Sequence, residues 1–232
     1  MGSIEEENNK PPVVCVFCGT SAGKDPSHLE AARSLAQSLH KNGAKLIFGG
    51  GTSGLMGEVA SHLVTLSGPS SAHGIIPNAL MAFERKYTNE EDCKENGMSE
   101  QKQKDDEKFG KTTIVPDMHT RKKKMVEEVL AGGKGSGFVA ISGGYGTLEE
   151  LMEIATWNQL GIHDKPVVVY NVDGYWDGLL QWVKKAVGSG FVAEGNATIM
   201  AEATTAEEVM AKLANYKKAV GRLELDWEKE EE

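Results

Sequence analysis

The stretch Ser142-Gly143-Gly144-Tyr145-Gly146-Thr147-Leu148-Glu149-Glu150 has the residue types and spacing that best support chemistry in this chain. It follows an apolar run, Gly137-Phe138-Val139-Ala140-Ile141, and opens a helical one. Glycines at a strand-to-helix turn let backbone amides approach a ligand closely. The free N–H groups and dipole of the new helix favour an anion there, most often phosphate. Glu149 and Glu150, expected in the first turn of that helix, would repel a phosphate unless the ligand also carried positive character nearby. A ribose 5-phosphate losing its base fits, being anionic at one end and oxocarbenium-like at the other. The alternative is that two acids in a first turn merely complement the helix dipole. This stretch alone leaves the two readings even.

Two more glycine turns and one group of cations carry further chemistry. Gly19-Thr20-Ser21-Ala22-Gly23 offers amides and hydroxyls after an apolar run. Gly49, Gly51 and Gly54 spell G-x-G-x-x-G between a strand and a helix, the dinucleotide-binding fingerprint. That fingerprint also wants an acid about twenty residues on for the ribose, or an Arg for a 2′-phosphate. Between Glu58 and Glu84 there is no Asp or Glu, and between Lys45 and Arg85 no Lys or Arg. The turn, with Gly51 and Thr52, is therefore read as serving the same small ligand, and a dehydrogenase is disfavoured. His119, Arg121 and Lys122 open another helix whose inward stripe is Met118, Met125, Val126 and Val129. A buried Lys is costly, so this first turn is expected to project past the core into a cleft. The competing reading, a basic surface patch over Arg121 to Lys124, is the one the spacing alone favours.

The elements that must position these residues alternate between strand and helix. Strands are expected at Val13–Cys18, Lys45–Phe48, His73–Pro77, Thr112–Val115, Gly137–Ile141, Val167–Tyr170 and Ala197–Met200. Helices are expected after Asp25-Pro26-Ser27 to about Asn42, then from about Leu55 to Ser67, Pro116-Asp117 to Ala131, the Gly143 turn to Leu160, Tyr175 to Val187, and Thr205 to Tyr216. Such alternation implies an α/β fold: a Rossmann-like, doubly wound parallel sheet with helices on both faces. Ligands in such sheets bind at the carboxyl ends of strands, where all these glycine turns fall. Residues 1–12 read as a flexible tail, 13–220 as a single domain, and 221–232 as an acidic tail, frayed after Glu224. A polar insertion at about 86–111 reads as largely structureless. Gly132 to Ser136 reads as a flexible joint.

Composition narrows the function classes. A chain of 232 residues can bury one substantial core. A net charge of −9 argues against a nucleic-acid polymer as partner but leaves a single nucleotide open. Three cysteines and no long apolar run suggest a soluble, cytoplasmic protein with no membrane association and no signal peptide. A myristoylation signal is disfavoured by Glu6. Cys15 and Cys18 form C-x-x-C, but on a strand that spacing points the side chains to opposite faces, so both are read as core. Cys93 has no cysteine partner close in sequence.

Taken together, these residues resemble the Lonely Guy family of cytokinin-activating phosphoribohydrolases, long mislabelled as lysine decarboxylases. The family signature P-G-G-x-G-T-x-x-E matches Ser142 to Glu150, and M-H-x-R-K matches Met118 to Lys122. Val16 to Ser21, Gly49 to Gly57 and Trp157 to Pro166 match as well. The resemblance implies hydrolysis of the N-glycosidic bond of a cytokinin riboside 5′-monophosphate, with AMP as a further candidate substrate. It implies Glu150 and Arg121 as the catalytic pair, and substrate contacts from Glu84, Lys122, Gly143, Gly144, Tyr145, Gly146, Thr147, Leu148, Glu149 and Thr156. Thr20, Ser21, Gly51 and Thr52 join that set from the two other turns. A homodimer is expected; no cofactor and no metal are implied. Three departures stand out: Ser142 replaces the signature Pro, Arg121 and Glu150 lie an unusually long 29 residues apart (121 to 150), and the polar insertion is unusual. A non-catalytic purine nucleotide sensor is the second hypothesis. A true lysine decarboxylase would need pyridoxal phosphate, for which no lysine sits in a recognisable motif.

Overall fold

The computed structural model describes residues 10–81 and 100–227. Seven strands form one parallel sheet: β1 (Val13–Phe17), β2 (Lys45–Phe48), β3 (Ala72–Pro77), β4 (Lys111–Val115), β5 (Gly137–Ala140), β6 (Val167–Tyr170) and β7 (Met200–Ala203). Their order is β4-β3-β2-β1-β5-β6-β7, every pairing parallel. The described helices are α1 (Ser27–Lys41), α2 (Gly54–Ser67), α3 (Glu100–Phe109), α4 (Met118–Leu130), α5 (Tyr145–Gln159), α6 (Asp177–Gly188) and α7 (Ala206–Ala214).

Strands covered on both faces need apolar side chains in both directions, so VVCVF, GFVA and VVVY read as unbroken apolar runs. Val14, Val16, Leu46, Phe48, Val139 and Val168 point to one face and pack against α1, α2 and α7. Cys15, Phe17, Ile47, Phe138, Ala140 and Val169 point to the other, against α4, α5 and Trp176. Cys15 and Cys18 accordingly lie in opposite core layers, as expected, and both are free and buried. Burial pushes both thiols well up in pKa, which keeps them protonated and poor as ligands or nucleophiles.

The order runs outward from β1 to β4, then returns to β5 on the other side of β1. The carboxyl ends of β1 and β5 therefore flank the switch point of the sheet, where a crevice for ligands opens. The Gly19 and Ser142 turns leave the sheet there, tied together by Gly19 N donating to Ser142 O at 3.0 Å.

Several local expectations differ from the structure. Glu100–Phe109 is a helix packed against α2, with Phe109 buried, within a segment that composition made structureless. One aromatic anchor, followed by Gly110 at φ 86° against Ala72, directs the chain into β4. Residues 86–99 lie outside the described ones. The joint at Gly132–Ser136 is a built turn: Ser136 Oγ donates to Gly133 O at 2.7 Å and accepts from Val13 N at 2.9 Å. β7 starts at Met200, because Glu194–Asn196 takes a 3-10 turn first. At the two ends, Pro12 O accepts from Lys45 N at 2.8 Å, and Trp227 Nε1 donates to Leu160 O at 3.1 Å. Those parts of the expected tails are fastened to the domain.

Candidate active site

Gly144 caps α5 without a side-chain bond, and the first helical bond runs from Leu148 N to Gly144 O at 3.0 Å. The amides of Tyr145, Gly146 and Thr147 precede that bond and so have no acceptor within the helix. Gly143 must be glycine, since a Cβ there would overlap the Thr147 side chain. Thr147 itself is buried. Glu149 and Glu150 fall in the second turn of α5, one turn deeper than expected. Complementing the dipole is a first-turn effect, so that reading loses its basis.

Glu150 is 6 % exposed and Arg121 7 %. Asp117 caps α4 by accepting from Thr120 N at 2.8 Å, which sets the helix start so that Arg121 points inward. The Arg121 Nε donates to Ile75 O at 3.1 Å, and Nη1 lies 3.3 Å from Glu150 Oε1. Gly49 makes this possible, because a Cβ on it would overlap the guanidinium. The carboxylate oxygen is within ion-pair range, yet it accepts no hydrogen bond among the described residues. Burial pushes the Glu150 carboxyl above the usual range, and the Arg121 charge offsets this only in part. That oxygen, buried beside a cation with no bond of its own, has acceptor capacity left for a donor.

Around the pair lies a cleft with two lobes that share Gly19, Thr20 and Gly144. The inner lobe, about 300 Å³, holds Arg121, Glu149, Glu150, Gly146 and Thr147, with Met56, Leu80 and Met118 as apolar wall. The outer lobe, about 570 Å³, is lined by Ser21, Lys24, His28, Ser142, Gly143 and Tyr175. Lys122 stands beside the inner lobe, its ammonium 2.5 Å from Glu149 Oε1 and 3.0 Å from Glu153 Oε1. Burial opposes its charge, but these two hydrogen bonds outweigh that and hold its pKa above the usual lysine value.

The cleft thus gathers Thr20, Ser21, Gly143, Gly144, Gly146, Thr147, Glu149, Glu150 and Arg121 from the expected set. Other members lie elsewhere. Leu148 packs into the core and Tyr145 is 95 % exposed. Thr156 sits on the exposed side of α5, its hydroxyl donating to Met152 O. Gly51 and Thr52 line neither lobe; their turn packs behind the Thr20-Ser21 loop, where Gly54 leaves room for that backbone. Glu84 lies outside the described residues. Met118, read as a core position, instead faces the cleft, while His119 is exposed. The sequence reading missed His28, Tyr175 and Leu80, which belong to no local motif. The apolar spacing that flags a helix does not show which of its polar residues faces a turn from another strand.

Comparison with known proteins settles the lineage. The profile of a family described as "Possible lysine decarboxylase" matches residues 56–213. A cytokinin riboside 5′-monophosphate phosphoribohydrolase of Arabidopsis thaliana is 41 % identical over 94 % of this chain and 89 % of its own length. The chain belongs to the Lonely Guy family. A "Bifunctional cytokinin biosynthesis protein" of Fusarium pseudograminearum is 50 % identical over 94 % of this chain, which spans 43 % of that longer protein. Among solved structures, the molybdenum cofactor carrier protein of Chlamydomonas reinhardtii aligns with a TM-score of 0.54 at 15 % identity, covering 88 % of this chain and 96 % of its own. That likeness is one of fold alone. The Lonely Guy fold is thus the Rossmann-like α/β sheet described above, and the fastened Arg121–Glu150 pair lies at its switch point.

Proposed function

We propose that the chain hydrolyses the N-glycosidic bond of cytokinin riboside 5′-monophosphates, releasing the free base and ribose 5-phosphate. The observation that carries this reading is the buried Arg121–Glu150 pair, one turn beyond the free amides of α5 and within the same lobe. The amides of Gly143 to Thr147 and the Thr147 hydroxyl hold the phosphate. The sugar lies across Gly144 and Thr20, with the Glu150 carboxylate toward the anomeric carbon. As the C–N bond breaks, its electron pair leaves with the purine and positive charge develops on the ribose, where a desolvated carboxylate interacts most strongly. Water, oriented by Glu150, adds its oxygen to that carbon, and the proton it loses ends on the departing purine. Arg121 restrains the carboxylate and faces the anionic side of the substrate. Met56, Leu80 and Met118 give the base an apolar wall, which suits an N6-isopentenyl-type group.

The names of the relatives and the family signature support the same substrate class. We read the protein as a nucleotide-binding homodimer of the cytoplasm, with AMP as a poorer substrate. The deciding experiment incubates the protein with N6-isopentenyladenosine monophosphate, AMP and N6-isopentenyladenosine, followed by chromatography of the products. Free base and ribose 5-phosphate are expected from the first, less from AMP, and none from the nucleoside. Binding of the nucleotides with no release of base would leave a sensor and overturn the hydrolase.

A further inference from the structure

Two side chains outside the inner lobe converge on the turn that opens α5. His28, in the first turn of α1, shares a hydrogen bond between its Nδ1 and the Ser142 hydroxyl at 2.9 Å. Tyr175, between β6 and α6, donates its phenolic hydrogen to the Gly143 carbonyl. The two rings meet edge to face with centroids 5.6 Å apart, and both border the outer lobe. From the opposite side Gly19 N holds the Ser142 carbonyl. The turn needs such support, because Gly143 and Gly144 give its backbone little stiffness of their own. Ser142 also lacks the ring by which a proline would fix φ; its hydroxyl supplies a bond instead.

We propose that His28 and Tyr175 are positioning residues that brace the Ser142–Gly144 turn, so that the amides at the start of α5 meet the 5′-phosphate. The inference rests on the phosphate site proposed above. Phosphate is held alike in ground and transition states, so loosening the brace raises KM and leaves kcat nearly unchanged.

The test is a double-mutant cycle over His28→Ala with Ser142→Ala and Ser142→Pro, plus Tyr175→Phe. The readouts are kcat and KM for N6-isopentenyladenosine monophosphate and the Kd of ribose 5-phosphate by calorimetry. His28→Ala is expected to raise KM and Kd about fivefold to tenfold, the loss of one hydrogen bond's worth of order. Ser142→Ala should do the same and make the further effect of His28→Ala clearly smaller than in the wild type, since only the ring contact with Tyr175 is then left to lose. Ser142→Pro should restore tight binding and likewise shrink the effect of His28→Ala. Tyr175→Phe should raise KM in every background. Equal effects of His28→Ala in all three backgrounds, or a fall in kcat at constant KM, overturn the proposal. The Ser142→Ala arm decides the matter even if Ser142→Pro does not fold. A wild-type protein that binds ribose 5-phosphate but frees no base removes the hydrolase reading, while the cycle still reports on the brace through Kd. A wild type that frees base yet does not bind ribose 5-phosphate overturns the phosphate site and the brace and leaves the hydrolase reading standing.

Discussion

Arg121 is the residue where local pattern and final environment diverge most. Its neighbours Lys122, Lys123 and Lys124 make a surface patch the simplest reading of the sequence, and Lys123 does reach outward to Glu127 at 3.9 Å. What draws Arg121 inward is Gly49, which lacks the Cβ that would occupy the guanidinium's place. No periodicity within α4 reports on a glycine from another turn, so only the resemblance singled out Arg121 as a catalytic candidate. The Gly49 φ lies outside the left-handed region, so Gly49→Ala tests this overlap without backbone strain. It is expected to displace the guanidinium and lower kcat/KM about a hundredfold, with the fold retained by circular dichroism. Wild-type kinetics in that variant would show that Arg121 need not sit there. Glu150→Gln should lower kcat at least about a hundredfold if the carboxylate meets charge in the transition state. On the proposed mechanism the same pair sets the acid limb of the pH profile. Glu150 acts there as a carboxylate, so activity should fall as pH drops through its pKa, which burial raises and Arg121 partly restrains. Arg121→Met removes the restraint, and the acid limb of kcat/KM should move to higher pH. An unmoved limb would mean that another group titrates there.

Elements with their own hydrophobic period were legible, and those defined by a few long-range anchors were not. The strands from β1 to β6 and the helices α1, α2, α4, α5, α6 and α7 follow from runs and stripes in the sequence. The helix α3 does not, because it depends on Phe109 finding α2 rather than on an apolar face of its own. The irregular C-terminal segment beyond α7 behaves similarly. Arg222 Nε donates to Asn158 O at 2.8 Å and Nη2 to His163 O at 2.6 Å, which ties this segment to the last turn of α5 and the loop after it. His163 belongs to this same corner. Its Nε2 donates to Ile154 O at 2.9 Å, and its Nδ1 accepts from Lys165 N at 3.2 Å, which fixes the neutral ring in one tautomer. Burial pulls its pKa from 6.5 down to about 4. The unfolded chain therefore binds the proton more tightly. The contribution of His163 is fully present above about pH 6.5 and is lost as pH falls toward 4, by about 2–3 kcal/mol at pH 4.5. Urea denaturation at pH 7.5 and pH 4.5 should show this loss in the wild type and a smaller one in His163→Gln. Equal losses would assign the acid sensitivity elsewhere.

At the scale of the whole molecule, the alternation of strands and helices fixed the class but not the strand order. The crossing from β4 back to β5 beside β1 places the glycine turns of two distant segments at one switch point, which is why a single cleft forms. The net charge of −9 is consistent with that cleft serving one small anion through local amides rather than a polyanion through a basic surface. The side chains of two implied substrate contacts point away from the cleft within one subunit: the Tyr145 ring is exposed (the residue is 95 % exposed), and Thr156 faces outward from α5. If they do meet substrate, they meet one held partly by a second copy, which gives the proposed homodimer a definite place, over the exposed side of α5. Light scattering should then give about twice the 25.0 kDa of one chain. Thr156→Arg sets a bulky charge on that surface, where it leaves the subunit's own core untouched. It should shift the mass toward that of one chain and raise KM about tenfold or more. A dimer of unchanged mass and unchanged KM in Thr156→Arg would place the interface elsewhere and remove Thr156 from the substrate contacts.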